Sequence, residues 1–199
     1  MGMPTTTPRY WTVDDVWALP EDPRHRYEAV DGELLVSPSP RSAHQLAVGE
    51  LHVLLHAYAR ETGCFLAFMA PSDVVVFDTN LVQPDLYLLR LPANARGLSD
   101  PKQQGLPSLV IEVVSPSSAR SDRHIKRRLY QRAGIDYWLI DVEAECIEWW
   151  QPDAPEPSVH REVLAWTPAA DPDGSQRPAL TIDVARLMAA IGTAVERLG

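Results

Sequence analysis

Two carboxylates carry the first chemical signal in this 199-residue chain. Glu112 sits inside Leu109-Val110-Ile111-Glu112-Val113-Val114, an apolar run dense enough for a strand covered on both faces. A carboxylate buried there is costly unless it has a strong partner. Asp85 follows a proline in Gln83-Pro84-Asp85-Leu86-Tyr87-Leu88, which predicts a strand start or a bend at that point. If the two strands are neighbours, both carboxylates project from one region of a sheet. Two oxygen-rich acids with open coordination positions suit Mg2+, which keeps waters and takes substrate phosphate. That is a recipe for metal-assisted phosphodiester hydrolysis, in which the ion polarises a phosphoryl oxygen and lowers the pKa of water. The plainer alternative makes Asp85 a turn cap and Glu112 the partner of an arginine.

That arginine could come from a basic segment further on. Arg120, Arg123, Lys126, Arg127, Arg128 and Arg132 place six of the 18 Lys+Arg residues together, with Asp122 as the only acid among them. As a functional face, Arg120, Arg123, Arg127 and Arg128, with Tyr130, would contact nucleic-acid phosphates beside the acids, giving salt-dependent binding. As solvated charge, the same arginines would balance Asp141, Glu143, Glu145 and Glu148. Asp122 and Lys126 stand at i,i+4, a spacing that also serves an ordinary surface ion pair. His52 and His56 share a helix face, but the glutamate of the metalloprotease motif is missing between them. His44, at the start of the same helix, could approach a phosphate near the preceding hairpin. Ser115-Pro116-Ser117-Ser118 has neither glycine flanks nor a partnered histidine, so it does not read as a nucleophile elbow.

Positioning these groups requires a mixed fold. Thr12-Val13-Asp14-Asp15 offers a capping box opening a helix through about Leu19. Tyr27 to Ser37 reads as a hairpin turning at Asp31-Gly32. Ser42 to Thr62 is a long helix, with Ala43, Ala47, Leu51, Leu54 and Tyr58 on one stripe and Gly63 as its stop. Apolar runs at Cys64–Ala70, Asp73–Phe77, Val82–Leu89 and Ser108–Val114 predict strands. A helix over Ser121–Ala133, strands at Tyr137–Asp141 and Ile147–Gln151, and a helix capped by Asp183 follow. Pro152–Ser158 and Thr167–Pro178 read as exposed loops. The order predicts one domain over 1–199, α/β in the mixed α+β sense, with a central mixed sheet flanked by helices and a flexible segment at 1–11.

Several of these stretches resemble the Uma-type family of bacterial endonucleases in the PD-(D/E)XK nuclease superfamily. The resemblance rests on Arg26-Tyr27-Glu28-Ala29-Val30-Asp31-Gly32-Glu33, on Gln83-Pro84-Asp85-Leu86, and on Leu109-Val110-Ile111-Glu112-Val113-Val114-Ser115-Pro116-Ser117-Ser118. Asp122, Lys126, Tyr130, Gly134 and Asp136-Tyr137-Trp138-Leu139-Ile140-Asp141 continue it in order, so that it spans roughly Val13 to Trp150 and the closing helix. It implies a restriction-endonuclease-like fold and cleavage of nucleic acid with Mg2+ or Mn2+. Pro84-Asp85 matches the "PD" and Glu112 the "(D/E)". Val114 stands where the motif lysine belongs, and the resemblance implies that Lys126 supplies the ammonium from the next helix. By superfamily analogy the Val113 carbonyl joins Asp85 and Glu112 as a metal ligand. Glu28 and Glu33 are candidates for a third carboxylate, Glu28 preferred because it lies within an apolar strand.

Composition bounds the alternatives. With 45% hydrophobic and 23% charged residues, the chain reads as globular, and no apolar stretch is long enough to span a membrane. Two distant cysteines, Cys64 and Cys146, and an N-terminus unlike a signal peptide predict a reduced, cytoplasmic protein. The net charge of −9 argues against a general nucleic-acid coat protein. DNA is the expected substrate, and a homodimer the expected way to cut two strands. One rival is a catalytically degenerate module that binds nucleic acid or protein. Another is a structural dimer subunit, with Trp149 and Trp150 in its interface.

Overall fold

The structure is a computed structural model that describes residues 9–39, 42–91, 101–102, 104–171 and 174–196. Helix α1 (Val13–Trp17) starts at a capping box: the Thr12 hydroxyl accepts the Asp15 N–H at 3.2 Å, and Asp15 accepts the Thr12 N–H at 3.0 Å. Strands β1 (His25–Val30) and β2 (Glu33–Pro38) pair antiparallel around a tip where Asp31 and Gly32 both have positive φ. That geometry is why an Asp-Gly pair stands there. Helix α2 (Ser42–Thr62) ends at Gly63, again with positive φ.

Four strands follow: β3 (Phe65–Met69), β4 (Val74–Val76), β5 (Asn80–Val82) and β6 (Leu86–Arg90). The single strand expected over Val82–Leu89 is therefore two. Gln83-Pro84-Asp85 separates them and hands the chain from one sheet to another. A proline has no N–H to give to a ladder, so the break falls where the sequence cannot pair. Next come β7 (Leu109–Val113), a widened π-helical turn (Ser121–Lys126), α3 (Arg127–Arg132), β8 (Asp136–Asp141) and β9 (Cys146–Trp150). Strands β10 (Ser158–His160), β11 (Val163–Trp166) and β12 (Leu180–Asp183) precede α4 (Val184–Glu196). These last three strands border or interrupt the regions read as loops.

The larger sheet has the order β10-β9-β8-β7-β6-β3. Only β7–β8 is parallel among its neighbours, so the sheet is mixed as expected. A second sheet runs β2-β1-β5-β4, and β11 pairs with β12. On one face of the large sheet Leu109, Ile111 and Val113 pack with Leu51 and Leu55 of α2 and Leu187 of α4. On the other, Val110 packs with Leu129 and Tyr130 of α3 and with Val30 and Val82 of the smaller sheet. Side chains alternate along a strand, so Glu112 shares the Val110 face, toward α3 and β1. That alternation decides which groups can reach it.

One carboxylate ties three strands together. Asp136 accepts the indole N–H of Trp149 at 2.8 Å and that of the fully buried Trp166 at 2.9 Å, joining β8 to β9 and β11. Asp136→Ala leaves both donors without this acceptor. We expect a loss of about 2 kcal/mol in urea unfolding, with the secondary structure retained.

Candidate active site

The two acids singled out by sequence meet at the seam between the sheets. Leu86 of β6 pairs with Ile111 of β7, which brings the residue before β6, Asp85, beside Glu112. The Asp85 N–H donates to Glu112 Oε2 at 3.2 Å. Asp85 Oδ2 accepts the Val113 N–H at 2.9 Å and lies 2.9 Å from His44 Nε2. Asp85 Oδ1 accepts from the Arg26 guanidinium at 3.2 Å, and a second nitrogen of Arg26 donates to the Gln83 carbonyl.

Lys126 approaches from the opposite side. Its Nζ lies 2.8 Å from Glu112 Oε1, 2.9 Å from Glu28 Oε1 and 3.5 Å from Asp122 Oδ1. Glu28 is itself held by the Gln83 N–H at 2.8 Å, and the Tyr130 hydroxyl reaches Glu112 Oε1 at 3.4 Å. None of Glu28, Asp85, Glu112, Asp122 and Lys126 is more than 3% exposed. The helix between Asp122 and Lys126 is not an ordinary one. The Arg127 N–H donates to the Asp122 carbonyl five residues back, which widens the turn, and both side chains lie inside rather than on the surface.

Burial shapes the charges. It pushes Glu112 well above the usual carboxylate range; Lys126 opposes this, and the charges of Asp85, Asp122 and Glu28 add to it. Asp122 is raised by burial in the same way, against the pull of Lys126. Burial would raise Asp85 too, but the His44 bond and charge, the Arg26 charge and the Val113 N–H outweigh it and hold this carboxyl well below its ordinary range. Lys126 loses solvation by burial, yet Glu112, Glu28 and Asp122 together carry it well above the ordinary lysine value.

Four buried carboxyls thus face two permanent cations, Arg26 and Lys126; burial favours the protonated forms of Glu112 and Asp122, and a divalent cation would compete with those protons. Among the described residues no three His, Cys, Asp or Glu side chains are grouped so as to hold a metal ion by themselves. The donor set is instead open and all-oxygen: Asp85, Glu112 and the adjacent Val113 line one cavity of about 510 Å3 together with Arg26, His44 and Lys126. An ion that keeps its waters and takes substrate oxygens fits such a set.

Asp85, Glu112, Val113, Lys126 and Glu28 therefore come together. The basic face divides. Arg120 and Arg128 are exposed. Arg123 is paired with Asp141 at 2.7 Å and with Glu148, and Arg127 lies 4.4 Å over the Trp150 ring. Tyr130 is fully buried against Glu112 rather than exposed on that face. His52 and His56 face each other on α2 with rings 5.7 Å apart, lining a different cavity. Two members were missed, Arg26 and the buried form of Asp122, and His44 contacts Asp85 where a phosphate contact was considered. For Arg26 a signal existed: it stands two residues before Glu28, on the same face of β1.

The family profile described as "Uma2: Putative restriction endonuclease" matches residues 9–180. The chain belongs to the Uma2 family. The Uma2 match thus spans α1 through the start of β12, including every residue of the carboxylate cluster. A solved structure of "a putative nuclease belonging to DUF820" from Anabaena variabilis shares the fold, with a TM-score of 0.68 at 19% identity. The alignment covers 91% of this chain and 99% of that one. No curated protein matches. Among the described residues no helix is long and apolar enough to cross a membrane.

Proposed function

We propose that the chain is a Mg2+- or Mn2+-dependent endonuclease that hydrolyses phosphodiester bonds of DNA. The observation that carries this reading is the cluster of buried acids that sets an all-oxygen donor set, Asp85, Glu112 and Val113, on one cavity. Membership of a family described as restriction endonucleases supports it. Asp85, Glu112 and the Val113 carbonyl hold the ion, with Glu28 beside them. When bound, the ion supplies Lewis acidity and lowers the pKa of water. Lys126 keeps Glu112 in place and offsets the charge of Glu28 and Asp122. His44 and the Val113 N–H fix the Asp85 carboxylate from two directions. Arg120 and Arg128, exposed on the neighbouring helix, contact the DNA backbone.

Supercoiled plasmid incubated with the protein and Mn2+ should be cut, and a chelator should stop the reaction. One centre cuts one strand. Nicked product therefore marks single copies, and linear product marks two copies acting together. A protein that cleaves neither DNA nor RNA with either ion contradicts the enzymatic reading and favours a fold kept for binding alone.

A further inference from the structure

An ammonium carries three N–H donors, and Lys126 has three carboxylates around it: Glu112 at 2.8 Å, Glu28 at 2.9 Å and Asp122 at 3.5 Å. It donates a hydrogen bond to Glu112 and lies in ion-pair range of the other two, and its side chain is 3% exposed. For a lysine so placed, three carboxylates of the protein compete with any phosphate. Arg26 differs in its exposure and in the donors it has uncommitted. A guanidinium carries five N–H donors, and among the described residues Arg26 commits two, one to the Gln83 carbonyl and one to Asp85 Oδ1. Its side chain is 15% exposed and lines the same cavity as Asp85 and Glu112.

We infer that Arg26 is a catalytic residue that grips the phosphate being cleaved, and that Lys126 is a positioning residue acting through Glu112. The inference rests on the phosphodiester-cleavage reading above. The planar fork of a guanidinium matches two non-bridging phosphate oxygens at once, which a single ammonium cannot do. Charge on those oxygens grows as water attacks phosphorus, and a fixed donor pair beside the metal-holding acids stabilises that growth. Arg26 forms no covalent bond and moves no proton. The Asp85 contact holds its aim, so the acid that binds the ion also sets the distance between ion and guanidinium.

The test compares wild type, Arg26→Lys and Arg26→Ala in three measurements: Mn2+ binding by calorimetry, affinity for a short duplex in Ca2+, and plasmid cleavage in Mn2+. Both variants should keep Mn2+ binding. Arg26→Ala should bind the duplex more weakly and cleave about 10²-fold more slowly. Free guanidinium ion should restore part of that cleavage, and Arg26→Lys should remain well below wild type. Wild-type duplex affinity and cleavage in Arg26→Ala overturn the assignment. So does loss of Mn2+ binding in both variants, because Arg26 then acts only by holding Asp85. If wild type binds Mn2+ without cutting, duplex affinity decides: weaker binding by Arg26→Ala supports the contact, and equal binding overturns it. A wild type that binds neither Mn2+ nor duplex removes the cleavage reading itself, and the Arg26 assignment with it.

Discussion

Lys126→Met should destabilise the protein by about 3–5 kcal/mol at neutral pH, the range typical of deleting one partner from a buried ion pair. The methionine fills much of the same space, so the loss is electrical rather than steric. Glu28, Glu112 and Asp122 are each within 3.5 Å of the ammonium and buried. Without it they repel one another where little solvent screens them. The pH dependence has a definite sign. Glu112 and Asp122 already titrate above their ordinary values in the fold, and removing Lys126 removes the influence that opposed the shift. A carboxyl raised in this way binds more protons folded than unfolded, so stability falls as pH rises from the unfolded pKa toward the folded one. The deficit of Lys126→Met should therefore be smallest in mild acid and complete above the folded pKa values of the two acids. Urea unfolding across that range measures it. Adding Glu112→Gln to Lys126→Met should recover part of the loss, and a strictly additive pair would show that the two groups do not interact.

Asp85→Asn should leave a folded protein that cleaves at least about 10³-fold more slowly than wild type. The amide keeps the shape of the carboxylate and loses its charge. Losing the ion's stabilisation of the reacting phosphate is worth several kcal/mol, and about 4 kcal/mol corresponds to three powers of ten in rate. The variant also weakens the anchor of Arg26, so its loss should exceed that of Arg26→Ala. Plasmid cleavage under matched Mn2+ concentrations measures both. Asp85→Asn at the wild-type rate would remove Asp85 from the site.

How much of this was legible in the sequence varies residue by residue. Pro84 marks the chain break that places Asp85, and the apolar neighbours of Glu112 mark its burial, so both acids stand out unaided. The mixed sheet follows from the run of short apolar segments between helices. Lys126 could be assigned to the site only through the family resemblance, because an i,i+4 spacing to Asp122 describes a surface pair in a regular helix. The widened turn that brings both inside depends on tertiary packing against Glu112 and Glu28, which spacing does not encode. Strand β5 is three residues long, and β10 to β12 are three or four, amid proline-rich sequence. Segments that short carry too few alternations to announce a strand. Arg26 was missed although it shares a strand face with Glu28, because an arginine at the start of a hairpin also reads as surface charge.

The proposed function requires Asp85 and Glu112 to hold a divalent ion in the cavity they share. Calorimetric titration of Mn2+ into wild type, Asp85→Ala and Glu112→Ala tests it most directly. Wild type should bind saturably and both variants should lose binding, with unfolding curves showing that each variant remains folded. Binding of equal strength in all three proteins, or none in wild type, would contradict it and leave Asp85 and Glu112 as structural acids balanced by Arg26 and Lys126.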